Sequence, residues 1–356
     1  MTSTTPDADV RTYAVPLRTR FRGIDVREGM LLRGPAGWGE FSPFWDYDPP
    51  TSRPWLAAAL EAAEEGWPDP VREHVPVNCT VPAVGPRRAA DIVRGSRGCR
   101  TAKVKVAEPG QTLDDDLARL EAVRDTLGPD GRVRIDVNGR WSVDEAVLAL
   151  QEMAWLDLEY VEQPCATVEE LAAVRRRVDV PVAADESIRR ADDPLRVAAH
   201  DAADIAVLKV QPLGGVRACL RIAEKVGLPV VVSSALETSV GIAAGVALAA
   251  ALPSLPYACG LATVQLLRTD VVDEPLLPHD GALPVRRPEP VDARGPADED
   301  TQRRWAARLA GPGVRRAALR HGRGARGGSP RRRRTGRRGR VDPRRRRPPA
   351  GGRAGG

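Results

Sequence analysis

The sequence predicts an α/β fold, a (β/α)8 TIM-like barrel preceded by a smaller α+β unit. From Val75 onward, short apolar segments alternate with longer helix-like segments, which is the pattern of parallel strands joined by helical crossovers. Eight strand-like segments can be counted, and eight strands close such a barrel. An open, doubly wound sheet is the alternative, but no G-x-G-x-x-G motif follows any of these segments. We therefore expect the barrel.

The predicted barrel strands are separated from the helices that follow them by turn and capping residues. Thr112 stands directly before LDDDLARL and Ser142 directly before VDEAVLAL, and both residue types are favoured helix N-caps. The predicted strands cover residues 75–81, 101–107, 132–138, 158–164, 180–186, 205–211, 228–234 and 257–263. The predicted helices cover residues 86–97, 112–127, 143–154, 167–178, 192–201, 215–226 and 239–252. The barrel domain is expected to span residues 75–264.

Residues 1–74 are expected to begin the second domain. Residues 12–48 alternate apolar and polar residues in pieces broken by Gly and Pro, which is typical of a small antiparallel sheet. An amphipathic helix is predicted over residues 55–65, with its start near Thr51 or Ser52 and Pro54 in its first turn. After the barrel, the chain returns to irregular apolar pieces with a short helix near 300–310, so residues 265–311 could complete this domain.

The last segment, residues 312–356, differs in composition from everything before it. Arg, Gly, Pro and Ala dominate it and little in it could form a core, so we predict a disordered tail. Its seventeen arginines and one aspartate carry a charge of +16, so the rest of a chain with +6 overall is close to −10. The tail could bind nucleic acid non-specifically, although it lacks aromatic residues for stacking, or it could be an extension without a role. Its basicity therefore indicates nothing about the folded domains.

Cysteine usage and hydropathy favour a soluble, cytoplasmic protein. The five cysteines are widely spaced, with no C-x-x-C pair and an odd total, which argues against a disulfide framework and against a zinc site. The N-terminus lacks a basic segment followed by an apolar one, so no signal peptide is expected. Apolar runs such as 240–252 are shorter than the roughly eighteen residues that a membrane span needs.

Three acidic residues stand at the ends of consecutive predicted strands. Asp136, Glu162 and Asp185 end the third, fourth and fifth strands. Because the carboxyl ends of barrel strands meet at one face, where active sites are built, the three carboxylates should converge there. They would repel one another without a cation, and Mg²⁺ prefers such oxygen ligands. Each could instead be a helix N-cap or a salt-bridge partner, but three at successive strand ends favour the metal site.

Three lysines accompany the carboxylates. Lys105 on the second strand and Lys209 on the sixth should flank the acids from opposite sides of the barrel mouth, and Lys103 lies one layer deeper on the same face as Lys105. A lysine beside a divalent cation and a second ammonium group loses its proton more readily, so it can act as a base. Lysines that snorkel to solvent are the alternative, but they do not explain KVK inside a valine-rich strand. Such a set could remove a proton next to a metal-bound substrate carboxylate.

The order KxK, DVN, VEQP, DES, LK and SSALETSVG resembles the muconate-cycloisomerase-type branch of the enolase superfamily, and within it the o-succinylbenzoate synthase family most of all. The resemblance covers roughly residues 12–310. It implies a capping domain from both chain ends over a modified barrel, Mg²⁺ held by the three strand-end carboxylates, Lys105 as acid/base and Lys209 as the opposing cation. It also implies dehydration of 2-succinyl-6-hydroxy-2,4-cyclohexadiene-1-carboxylate to o-succinylbenzoate, in menaquinone biosynthesis.

Other residues of these motifs match positions with which that family lines its substrate pocket. These candidates are Lys103, Asn138, Ser233, Ser234, Gly260 and Thr263. The last four are equally explained as small residues required by tight packing at strand ends. The segment GWGEFSPF resembles the family's substrate-covering region, although its Glu40 could be purely structural. The four histidines belong to no such constellation.

Two other functions remain open at the level of the sequence. Two lysines on opposite faces also suit two-way proton exchange at one carbon, so N-succinylamino acid racemase or another epimerase of the branch is the alternative enzyme. A binding protein whose basic tail contacts nucleic acid is the alternative outside enzymes. We expect a small-molecule carboxylate as substrate, no membrane and no specific nucleic acid, and the oligomeric state stays open.

Overall fold

The computed structural model of the chain describes residues 10–188 and 193–311. Its N-terminal part is a three-stranded antiparallel sheet followed by one helix, as the alternating pattern predicts. These elements are β1 (Val10–Phe21), β2 (Ile24–Gly34), β3 (Gly37–Phe41) and α1 (Pro49–Leu60), and a single π-helical turn, Glu61–Glu65, continues α1. The helix begins earlier than predicted because the Asp48 side chain caps it and prolines occupy its first two positions.

The central element is a curled parallel sheet of seven strands, in which each strand pairs with the next one along the chain. Two further short strands pair with each other in antiparallel fashion outside this sheet. In chain order the strands are β4 (His74–Pro76), β5 (Cys79–Val81), β6 (Thr101–Lys105), β7 (Arg132–Asp136), β8 (Leu158–Glu162), β9 (Val182–Ala184), β10 (Ile205–Lys209), β11 (Val230–Ser233) and β12 (Ala282–Pro284). The seven-stranded sheet runs from β5 to β11, and β4 pairs with β12.

The eighth predicted barrel strand, residues 257–263, forms isolated bridges instead of a strand. Cys259 bridges Val77 and Gly260 bridges Ser233, both in parallel orientation. A short 3-10 helix follows almost at once, so the extended segment is too short for a regular ladder. The two bridges nevertheless connect the opposite edges of the sheet, and they complete the barrel.

Helices follow the strands and cover the outside of the sheet. They are α2 (Pro86–Arg94), α3 (Leu113–Leu127), α4 (Val143–Glu152), α5 (Val168–Arg175), α6 (Asp193–Ala199), α7 (Val210–Leu213), α8 (Val216–Val226) and α9 (Ser239–Ala251). The last helix, α10 (Glu299–Ala310), lies on the cap. Thr112, Ser142 and Thr167 cap α3, α4 and α5 with complete capping boxes. The predicted starts at Thr112 and Ser142 are confirmed.

Alternation along the strands separates a polar barrel interior from an apolar outer layer. Val104 and Ile135 are fully buried in the large core between the strands and the helices. Their neighbours Lys105 and Asp136 face the other way, into the barrel, where they lie side by side in register. The interior at this end of the barrel is therefore lined by charged groups, as the strand-end pattern predicts.

The C-terminal segment returns to the N-terminal sheet and completes a capping domain. Helix α10 lies against β1, where Trp305 is fully buried with its ring 5.9 Å from that of Phe41. A bridge between Leu17 and Leu267 joins the two chain ends a second time. Both ends thus build the cap, as the resemblance implies.

The predicted basic tail, residues 312–356, lies outside the residues that the structure describes. In the part of the chain that is described, no helix has the length and apolar character needed to cross a membrane.

Candidate active site

The predicted catalytic and metal-binding residues converge at the C-terminal end of the barrel strands. Lys105, Asp136 and Glu162 end β6, β7 and β8 and lie in register across the three strands. Asp185 directly follows β9, and Lys209 ends β10 on the far side. Lys105, Asp136 and Lys209 line a cavity of about 460 Å³ that opens between the barrel and the cap. Five consecutive strands therefore supply one charged site.

Ammonium groups lie between the carboxylates. Lys103 Nζ donates to Asp136 Oδ2 at 2.9 Å and to Glu162 Oε1 at 2.6 Å. Lys105 Nζ donates to the same Asp136 oxygen at 2.6 Å, and Lys209 Nζ donates to Asp185 Oδ2. All three acids are almost fully buried, so each needs such a counter-charge. The buried part of the site is thus an alternating network of acids and lysines.

The pKa values of the Asp136 and Glu162 carboxyls shift in opposite directions within this network. Burial alone would raise the pKa of Asp136, but Lys103 and Lys105 outweigh burial and hold that pKa well below its usual range. Burial raises the pKa of Glu162 to about 7; Lys103 opposes this shift, and the negative charges of Asp136 and Asp185 add to it. Burial disfavours the charged form of Lys103, yet the two acids it touches keep its pKa raised. Asp136, which contacts two lysines, is therefore held in its ionised form more strongly than Glu162, which contacts one.

The donor set fits a hard divalent cation such as Mg²⁺. Three carboxylates from neighbouring strands are oxygen ligands of the kind that Mg²⁺ takes. Glu162 Oε2 is buried and has no hydrogen-bond partner among the residues that the structure describes, so it remains available as a ligand atom. Among the described residues, no three acidic, His or Cys side chains are already grouped as a metal site, since the ammonium groups lie between the acids. The assignment of Asp136, Glu162 and Asp185 as metal ligands stays a prediction.

The predicted substrate-binding residues all line the cavity. They are Lys103, Asn138, Ser233, Ser234, Gly260 and Thr263. Ser234 Oγ and Thr263 Oγ1 lie 2.7 Å apart, and Asn138 Oδ1 accepts a 2.6 Å hydrogen bond from Lys105. A Cβ atom added to Gly260 would lie 2.7 Å from Ser233 Oγ, so close packing accounts for this glycine. Their positions agree with substrate contact, which stays a prediction.

The cap contributes cavity residues that the sequence did not single out. Phe21 and Arg22, at the turn between β1 and β2, line the cavity together with Phe44. The Phe21 ring lies 5.7 Å from Lys105 Nζ, and the Arg22 guanidinium stacks 4.0 Å from the centre of the Phe44 ring. On the barrel side, Arg140 forms a 2.7 Å ion pair with Glu108 at the rim. No local pattern marks Phe21 and Arg22, because only the docking of the cap brings them to the barrel.

The structure also places the GWGEFSPF segment and three of the four histidines relative to the cavity. In GWGEFSPF, Phe44 reaches the cavity, whereas Glu40 is buried behind it and bonds to Tyr13 and to the start of α9. His74, His200 and His279 lie outside the cavity lining, and His321 is outside the described residues.

Comparisons with known proteins agree with this architecture. The model described as "Enolase N-terminal domain-like" matches residues 12–63, and the model described as "Enolase C-terminal domain-like" matches residues 87–290. The chain is 69% identical to the o-succinylbenzoate synthase of Thermobifida fusca over 84% of its own length and 94% of the relative's. It is 55% identical to the o-succinylbenzoate synthase of Mycolicibacterium smegmatis, over 83% and 92% of the two lengths.

Solved structures with lower identity share the fold. The L-Ala-D/L-Glu epimerase of Bacillus subtilis superimposes with a TM-score of 0.69 at 23% identity, over 79% of this chain and 96% of that one. The muconate lactonizing enzyme of Pseudomonas putida gives 0.68 at 21% identity, over 83% and 98%. At these identities the likeness extends to the fold alone.

Proposed function

The chain belongs to the o-succinylbenzoate synthase family of the enolase superfamily, and on that premise we propose that it dehydrates 2-succinyl-6-hydroxy-2,4-cyclohexadiene-1-carboxylate to o-succinylbenzoate. The observation that carries the proposal is the 69% identity to a synthase over nearly its whole length. The paired lysines at the mouth of the cavity supply the chemistry that this reaction needs. The product is an intermediate of menaquinone biosynthesis.

The lysines divide the proton chemistry between them. Lys105, as the free amine, takes the proton from the ring carbon that bears the carboxylate, and the electrons of that C–H bond move into the ring. Lys105 then returns the proton to the departing hydroxyl group, so the C–O bond breaks, water leaves and the ring becomes aromatic. Lys209, four strands further along the sheet, faces the reacting carbon and stabilises its negative charge.

The remaining residues hold the substrate and exclude water. Asp136, Glu162 and Asp185 would hold Mg²⁺, which would neutralise the charge that develops on the substrate carboxylate. Phe21 and the Arg22 side chain close the outer side of the cavity, where a second, succinyl carboxylate would meet positive charge. Free cysteines, all five of them buried, fit our placement of the enzyme in the reducing cytoplasm.

Racemisation of N-succinylamino acids is the alternative reaction, and the relatives do not favour it. The synthases that the chain resembles reach 53–69% identity, whereas the epimerases among the solved structures stay at 22–23%. Because both reactions would use the same lysines, the cyclohexadiene substrate and an N-succinylamino acid should be assayed side by side.

The proposed function is tested with the purified protein and Mg²⁺. Product formation from the cyclohexadiene substrate is expected, and Lys105→Ala and Lys209→Ala should each lower kcat by about 10²–10⁴-fold because each removes a proton-transfer or charge-stabilising group. Lys225→Ala, at an exposed position on α8, is the matched control and should keep parental turnover. Normal turnover by a folded Lys105→Ala variant would rule out the mechanism. Faster racemisation of an N-succinylamino acid than dehydration would assign the alternative.

A further inference from the structure

A buried carboxylate of the cap binds the start of a barrel helix. Glu40, at the end of β3, is 3% exposed. On the cap side it accepts hydrogen bonds from Tyr13 Oη at 2.7 Å and Ser42 Oγ at 2.8 Å. On the barrel side it accepts from the backbone N–H groups of Thr238 at 3.2 Å and Gly241 at 3.0 Å, at the N-terminus of α9. A negative group is favourable there because the first N–H groups of a helix have no partner within it.

The same cap strand reaches a second barrel segment. Ser42 N donates to Gln211 Oε1 at 3.2 Å, and Gln211 Nε2 donates to Ser42 Oγ at 3.2 Å. Gln211 is 2% exposed and lies two residues after Lys209. The paired hydrogen bonds therefore attach the segment that carries the proposed catalytic lysine to the end of β3.

Arg27 connects the cap to the wall of the cavity. Its Nε donates to Leu236 O at 2.9 Å, and its Nη2 donates to Ser42 Oγ at 2.9 Å. Leu236 lines the cavity and has a left-handed backbone with φ of 64°, which a leucine adopts only when its surroundings hold it there. The backbone of the cavity wall between β11 and α9 is thus held in place by hydrogen bonds from the cap and not by the conformational preference of its own residues.

We propose that Glu40 and Gln211 are positioning residues of the dehydratase: Glu40 sets the substrate-binding wall that follows β11, and Gln211 sets Lys209. The inference rests on the proposed function for its kinetic consequences. The two attachments act on different parts of the cavity lining, residues 233–236 in one case and Lys209 in the other, and the proposed function places the reacting carbon at Lys209. Their loss should therefore change different kinetic constants.

A second cap carboxylate, Glu61, provides a matched control. Glu61 accepts from Val216 N at 2.6 Å and from Arg217 N at 3.1 Å, at the start of α8. It is buried and caps a barrel helix from the cap, as Glu40 does, but neither Glu61 nor the two residues it binds line the cavity. A general loss of cap docking would affect Glu40 and Glu61 variants alike.

The test compares Glu40→Gln, Gln211→Met and Glu61→Gln by steady-state kinetics. Glu40→Gln should raise KM by about tenfold with kcat within about twofold, because the variant misplaces groups that bind substrate uniformly. Gln211→Met should lower kcat by about tenfold with KM nearly unchanged, because only the placement of Lys209 is lost. Glu61→Gln should keep both constants. Equal effects of the Glu40 and Glu61 substitutions would overturn the proposal.

Amide hydrogen exchange gives a readout that does not depend on turnover. In the same variants, Glu40→Gln should accelerate exchange over residues 233–241, whereas Glu61→Gln should accelerate it over residues 215–219. If the parent protein does not dehydrate the substrate, the proposed function fails, and the exchange pattern still decides whether Glu40 orders the cavity wall. Unchanged exchange over 233–241 in Glu40→Gln would refute its positioning role.

Discussion

Lysine occurs only four times in this chain, although Lys and Arg together number 54. Lys103, Lys105 and Lys209 lie in the cavity lining, and Lys225 is exposed on α8. An arginine guanidinium keeps its proton at any ordinary pH, whereas a lysine amine can lose it near other cations. Three of the four lysines thus lie in the cavity lining, which agrees with our proposal that Lys105 exchanges a proton with the substrate.

A second feature at the scale of residues is the pair of buried acids Glu237 and Glu40, which lie beneath the cavity wall. Burial raises the pKa of Glu237 to about 7, and the neighbouring Glu40 adds to the shift while Arg27 opposes it. Glu237 Oε2 accepts a 2.6 Å hydrogen bond from Ala235 N, so the side chain is held in place. In the unfolded chain the pKa of this carboxyl would lie near 4.5, the ordinary value for a glutamate.

The raised pKa of Glu237 predicts a pH-dependent stability. Between about pH 4.5 and pH 7 the folded protein keeps a proton that the unfolded chain has released, so this group lowers the unfolding free energy as pH rises, by about 3 kcal/mol in all. Glutamine does not titrate, so the Glu237→Gln variant should not lose this unfolding free energy. The unfolding free energy of the variant relative to that of the parent should therefore rise as the pH increases from about 4.5 to 7. Urea unfolding at several pH values measures the difference, with exposed Glu152→Gln as the control. A stability difference that does not vary with pH would contradict the assignment.

At the scale of elements, the cap depends on the close approach of a strand to a helix. Gly39 in β3 faces α1, and a Cβ atom built on it would lie 1.9 Å from Ala59 O. The obstructing atom belongs to the helix backbone, so it cannot turn away as a flexible side chain would. The glycine is therefore required by the packing of β3 on α1.

Gly39→Ala should lower the unfolding free energy by about 1–3 kcal/mol, because the strand and the helix must separate to accept the methyl group. Chemical denaturation followed by circular dichroism measures the change. Gly85→Ala is the control, since nothing lies within 4 Å of its added methyl group, and its cost, as the N-cap of α2, should stay below about 1 kcal/mol. Equal stabilities of the two variants would show that β3 and α1 can adjust freely.

At the scale of the whole molecule, the last described helix is part of the fold. Trp305 of α10 is fully buried, and its indole N–H donates to Glu28 Oε2 at 3.1 Å. Arg308 donates to the backbone oxygens of Pro43 and Phe44 at 3.0 and 2.8 Å. The chain as far as Gly311 therefore contains the contacts that hold the cap together.

Truncation after Gly311 should leave turnover unchanged and Tm within about 2 °C, because the removed residues follow the helix that completes the cap. Truncation after Pro296 removes α10 as well and should lower Tm strongly, since it exposes the surface that Trp305 covers. Thermal unfolding and the dehydration assay compare both chains with the full-length protein. A large loss of activity on removal of residues 312–356 alone would give that segment a role in the enzyme.

The sequence alone predicted the α/β class, the N-cap residues at which two barrel helices begin, and the charged residues that face the barrel mouth. These predictions succeed because strand alternation and N-cap chemistry are local properties. It placed Lys105 and Asp136 on the same side of adjacent strands, and the structure confirms that placement. Only the tertiary structure decided that Lys103 lies between two acids and that bridges replace the eighth strand. It also decided that Glu40 caps a helix 198 residues further along the chain. Such contacts join segments far apart in sequence, so their geometry follows from how the cap and the barrel pack and not from any local pattern.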